Sequence, residues 1–109
     1  MKHLLFDLID CPPDLLDDED FVRLSAWNAA KESKSELINI SCHKFEPQGV
    51  TALAMLAESH LSIHTWPETG VAKCDIFTCG TKSKPEKAVE YLIEAFKATK
   101  STSQEYERI

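Results

Sequence analysis

Four short apolar stretches follow one another between residues 36 and 78, each closed by a turn signal, and that succession commits the chain to a sheet of short strands. Residues 36–45 set Leu37, Asn39, Ser41 and His43 against Ile38, Ile40 and Cys42, the two-residue period of a half-buried strand. Pro47, Gln48 and Gly49 then turn the chain. Residues 50–57 (VTALAMLA) are almost wholly apolar, and their short length between a glycine turn and a polar run favours a strand over a helix. Residues 60–65 alternate again, with Leu61 and Ile63 opposite His60, Ser62 and His64, and residues 71–78 supply a further strand after the loop at residues 66–70.

Around this run the pattern changes. Residues 3–9 read as a strand ended by Cys11, Pro12 and Pro13, and the acidic residues 14–20 suit a loop or the first turn of a helix. Phe21, Val22, Leu24, Ala26, Trp27, Ala29 and Ala30 fall mainly at helical spacing across residues 19–34. Pro85 is placed to open a last helix reaching about residue 98, and the polar tail 100–109 is expected to fray. This order predicts a single domain over residues 1–109, an α+β two-layer sandwich with two helices on one face of a largely antiparallel sheet. No third long helix remains for the other face, so a homodimer pairing sheet against sheet is the economical cover.

Composition excludes several partners. The net charge is −6 and no Lys/Arg-rich block interrupts it, which argues against nucleic acid. No apolar run approaches the roughly 20 residues that span a bilayer, and Asp7 spoils the short apolar start as a signal-peptide core. A cytoplasmic protein with reduced cysteines is the expectation. Cys11, Cys42 and Cys74 then read as small buried hydrophobes.

Residues 57–68 (AESHLSIHTWPE) gather Glu58, Ser59, His60, Ser62, His64 and Glu68 between apolar strands, more titratable and hydrogen-bonding groups than a structural connection requires. His60 and His64 have the spacing of a helical metal pair, but on a strand they stand about 13 Å apart along the chain, so no metal site is expected from them. Ser59 or Ser62 with His64 is a possible hydrolase couple, yet the strained Gly-x-Ser-x-Gly elbow is absent.

The string ESHLSIHTWPE, preceded by HKFEPQGVT at residues 43–51 and followed by DIFTCG at residues 75–80, closely resembles the prokaryotic short-chain S-adenosylmethionine decarboxylases over most of the chain. That resemblance implies a proenzyme whose Ser59 hydroxyl attacks the carbonyl of Glu58. The resulting ester undergoes β-elimination, giving chains 1–58 and 59–109, the second starting with a pyruvoyl group made from Ser59. Decarboxylation leaves a carbanion that no standard side chain can absorb, and the pyruvoyl ketone, linked to the substrate amine as a Schiff base, is the electron sink.

By the same resemblance His64 is the proton-transfer residue of processing, and imidazole suits that role near neutral pH. Cys79 matches the acid that returns a proton to the substrate after carbon dioxide leaves. Phe45 and Trp66 match aromatic positions near the adenine site, and Glu68 offers a carboxylate for the sulfonium or the amine. Thr51 stands where many relatives carry a serine thought to assist processing, and it keeps the hydroxyl. The implied substrate is S-adenosylmethionine, whose decarboxylated product donates an aminopropyl group in spermidine synthesis. Ornithine or arginine as substrate, and an uncleaved regulatory homologue, are the alternatives.

Overall fold

A computed structural model describes residues 1–79 and 81–109; Gly80, the last residue of the DIFTCG motif, lies outside them. Among the described residues, strands β1 (Lys2–Ile9), β2 (Leu37–Lys44), β3 (Val50–Leu56), β4 (Ser59–Trp66), β5 (Val71–Thr78) and β6 (Lys100–Glu107) form one sheet in the order β2-β3-β4-β5-β1-β6. Every neighbouring pair is antiparallel. Helices α1 (Pro13–Leu16), α2 (Glu19–Glu32) and α3 (Pro85–Ala95) lie on one face, α2 over β2 to β4 and α3 over β1 and β5. The α+β sandwich expected from the element order is the observed architecture.

The core lies between the helices and the sheet. Leu4, Phe6, Leu8, Ala52, Ala54, Leu61, Ile63, Ala72, Cys74 and Ile76 are buried on the sheet side. Val22, Ala26, Ala29 and Ala30 form the buried stripe of α2, and small alanines on both α2 and β3 let the helix lie close to the sheet. From α3, Ala88 and Leu92 point inward, followed by Phe96 just beyond its end. Phe96 meets Phe21 edge to face at 5.2 Å, and Asn28 Nδ2 donates to Tyr91 Oη at 2.9 Å, tying α3 to α2. No described helix is long and apolar enough to cross a membrane.

One local expectation is refined and two need correction. Residues 14–20 hold the short helix α1, opened by Pro13, and then Asp18, whose side chain accepts from the Phe21 N–H at 3.1 Å and caps α2. The tail does not fray: β6 pairs with β1 from Lys2 opposite Glu107 to Ile9 opposite Lys100. The last helix ends at Ala95, and the chain leaves it through Lys97 at φ 55°.

Candidate active site

Sheet register builds the face that the helices leave open. One cross-strand row runs Asn39, Met55, His60, Phe77, His3, Tyr106. The next runs Ser41, Leu53, Ser62, Asp75, Leu5, Gln104, and a third His43, Thr51, His64, Lys73, Asp7, Thr102. Chemistry-bearing groups distant in sequence thereby become side-by-side neighbours.

The centre of these rows is a polar network around Asp75. His60 Nε2 lies 2.8 Å and His3 Nε2 2.7 Å from Asp75 Oδ2, while Ser62 Oγ donates to Asp75 Oδ1. Burial works against ionisation of Asp75, but the hydrogen bonds from Ser62, His3 and His60, with the attraction of His60, outweigh it and lower its pKa. The other ring nitrogen of His60, Nδ1, is 3.3 Å from Ser59 Oγ. Ligand atoms of His3, His60 and Asp75 lie within 4.8 Å of one another, a set that could hold a cation. Their shared hydrogen bonds to one carboxylate already account for that proximity.

Ser59 opens β4 opposite Leu56, so Ala57 and Glu58 are a two-residue hairpin turn and the peptide bond between Glu58 and Ser59 sits where turn becomes strand. Neither turn residue takes the positive φ usual in such tight hairpins. The turn is instead held from outside: Ala57 N–H donates to Glu36 O at 2.8 Å, and Glu36 N–H donates to Glu58 Oε1 at 3.0 Å. Cys79, just past the end of β5, donates from Sγ to the Glu58 carbonyl oxygen at 3.0 Å. A cavity of about 600 Å³ opens beside Ser59, lined by Asn39, Met55, His60, Ser62, His64 and Asp75 among others.

Glu58, Ser59 and Cys79 are therefore together, whereas His64 lines the same cavity only from farther along β4. It stands opposite Thr51, with Thr51 Oγ1 3.0 Å from His64 Nδ1, at the other end of β4. Five residue steps along the strand separate it from Ser59, about 17 Å. Phe45, Trp66 and Glu68 gather at that far end, where with Thr51 and His64 they line a second cavity of about 400 Å³. His60 and His64 thus find different partners and do not converge. Reading along the chain gave His60 no role in any preferred mechanism and left Asp75 and His3 unassigned. The Asp75–His60 pair becomes visible only through the β4–β5 register.

The remaining thiols are of another kind. No disulfide joins any of the four. Burial, with the nearby Asp10 charge, pushes Cys11 up to about 11, and burial also raises Cys42 and Cys74.

Comparison with known proteins gives a consistent picture. A family model for S-adenosylmethionine decarboxylase matches residues 2–109. An S-adenosylmethionine decarboxylase proenzyme of Synechococcus sp. (strain WH7803) is 55% identical over 97 residues, covering 89% of this chain and 76% of the relative. The proenzyme of Thermococcus kodakarensis is 45% identical over 96 residues, 88% of this chain and 67% of its own. A crystal structure of the adenosylmethionine decarboxylase from Aquifex aeolicus superposes with a TM-score of 0.91 at 36% identity, covering 98% of this chain and 88% of that one.

Proposed function

The chain belongs to the S-adenosylmethionine decarboxylase family, and we propose that it reaches its active form by cutting itself between Glu58 and Ser59, leaving a pyruvoyl group at the start of chain 59–109. The reaction it then performs is decarboxylation of S-adenosylmethionine. The observation that carries the proposal is the thiol of Cys79 donating to the Glu58 carbonyl beside the Ser59 hydroxyl. A carbonyl under attack by its neighbour's hydroxyl develops negative charge on oxygen, and a donor already aimed at that oxygen stabilises it. The external clamp from Glu36 keeps the turn from drifting as this happens.

The residues around Ser59 fit the pyruvoyl group: the cavity beside it has room for a substrate arm, and Cys79 is within reach of the same backbone position. The group would supply a carbonyl able to join the substrate amine and accept the electrons of the breaking carbon–carbon bond. Cys79 then hands a proton to the substrate α-carbon. Phe45 and Trp66, about half exposed around the second cavity, offer flat faces for the adenine, and Glu68 a carboxylate for the sulfonium.

His64 removes the α-hydrogen of residue 59 during elimination, with Thr51 fixing its ring. The strand length between His64 and Ser59 supports a second copy bringing it there. A two-fold axis lying between two facing sheets and crossing β4 near its middle sets each copy's His64 end over the other's Ser59 end. Leu5, Leu53 and Met55, exposed at 41%, 50% and 58%, are the apolar cover such a homodimer buries.

Intact mass tests the reading. Wild-type protein should give two fragments meeting between residues 58 and 59, the second without a free amine, and Ser59→Ala should give one uncut, inactive chain. Carbon dioxide release from carboxyl-labelled S-adenosylmethionine checks the substrate; release only from ornithine or arginine would reassign it. A continuous wild-type chain with full activity would sink the cut.

A further inference from the structure

We propose that His60, oriented by Asp75, is the base that activates Ser59 for the first step of self-cutting, an inference that rests on the processing reading above. Three linked observations lead there. Ser59 Oγ is 3.3 Å from His60 Nδ1; His60 Nε2 is 2.8 Å from Asp75 Oδ2; and Asp75 is held in turn by His3 and Ser62. A nucleophilic hydroxyl, an imidazole within reach of it and a carboxylate behind the imidazole are the arrangement by which serine is activated elsewhere, recognised by geometry and not by order in the chain.

The carboxylate settles which nitrogen is free. With Asp75 ionised and accepting, His60 carries its proton on Nε2, so Nδ1 presents a lone pair to the Ser59 hydroxyl. In the step itself Ser59 Oγ gives its proton to Nδ1 as a new bond forms from Oγ to the Glu58 carbonyl carbon. The oxyanion so formed faces Cys79. On collapse the carbon–nitrogen bond breaks, and the Ser59 nitrogen takes the proton back from Nδ1. The amide has become an ester with no atom gained or lost, and no co-reactant is needed.

Within the chain it is His60, not His64, whose ring reaches the Ser59 hydroxyl, while His64 Nδ1 is engaged by Thr51. On this proposal the two histidines divide the work: His60 makes the ester and His64 opens it. Asp75 is a positioning residue, since it touches only the base.

Hydroxylamine separates the two steps because it cleaves esters and leaves amides alone. His60→Gln keeps a side-chain amide that can still reach Asp75 but has no basic nitrogen. We expect it to fold with wild-type circular dichroism, to cut about 100-fold more slowly or worse, and to resist hydroxylamine. His64→Ala should also stay uncut yet be split by hydroxylamine between residues 58 and 59. Added imidazole should restore cutting to His60→Ala, whose missing ring opens onto the cavity. Asp75→Asn should slow cutting by presenting an amide N–H that favours the wrong tautomer, and Asp75→Glu should recover part of the rate.

Wild-type cutting rates in His60→Gln, or ester accumulation in it, overturn the inference while the processing reading stands. Loss of cutting on treatment of wild type with a chelator also overturns it, in favour of a cation held by His3, His60 and Asp75. Absence of cutting in wild type itself defeats the underlying reading instead.

Discussion

Asp75 serves three donors at once, and its titration has a definite sign. Its folded pKa lies below the ordinary 3.8 because bonds from Ser62, His3 and His60 overcome the opposing effect of burial. A carboxyl depressed on folding adds stability that is present above 3.8 and is lost as pH falls through the folded value. Asp75→Asn should therefore flatten the acid limb of stability below pH 3.8, read from urea midpoints between pH 5 and pH 2. At Cys79 the expected loss is double: Cys79→Ala removes the donor to the Glu58 carbonyl and, on the proposed mechanism, the acid for turnover. Its cutting should slow by about 100-fold, and whatever fraction is cut should release less carbon dioxide per pyruvoyl group than wild type. Glu58 and Ser59 were expected from the string ESHLSIHTWPE and Cys79 from the separate string DIFTCG, and the fold brings the three together. Asp75 was not expected at the site, because it sits fifteen residues beyond His60, and only a settled strand register makes neighbours of such a pair.

Elements were legible in proportion to how much they bury. β4 alternates in sequence and α2 carries a clear apolar stripe, so their positions follow from period, while β3 is almost wholly apolar and is marked by its short length between a turn and a polar run. β6 has every residue exposed and gains its order from backbone bonds to β1, which side-chain pattern does not record. The four residues of α1 are too few to establish a helical period. Ends are set by single residues, and Asp18 is the most testable of them. Losing its bond to the Phe21 N–H in Asp18→Ala should cost about 1 kcal/mol of stability in urea unfolding, with cutting unaffected since α2 lies on the opposite face from Ser59's cavity.

At the scale of the molecule the open face carries two cavities along one strand, with His64 lining both, and the proposed dimer would bring the His64 of one copy to the Ser59 of the other. Complementation tests this directly. Ser59→Ala and His64→Ala chains should each stay whole when made separately. Made together, they form mixed dimers in which an intact Ser59 meets an intact His64, and the His64→Ala chain should then be cut. Failure of that mixture to yield any fragment, with mixed dimers demonstrated by a tag on one chain, would place the whole site within one subunit. In the sequence the proposed dimer is expressed only as a need for cover, and its proposed role in assembling a site rests on the length of β4, which no motif expresses.

The strand order has a last consequence. A cut after Glu58 assigns β1, β2 and β3 to one piece and β4, β5 and β6 to the other, yet across the sheet the pieces alternate, since β1 is wedged between β5 and β6. The two products are dovetailed through three separate ladders, β3 with β4, β5 with β1 and β1 with β6. Severing the backbone therefore frees no half: the nicked protein keeps its native mass on a sizing column and parts into fragments only when denatured.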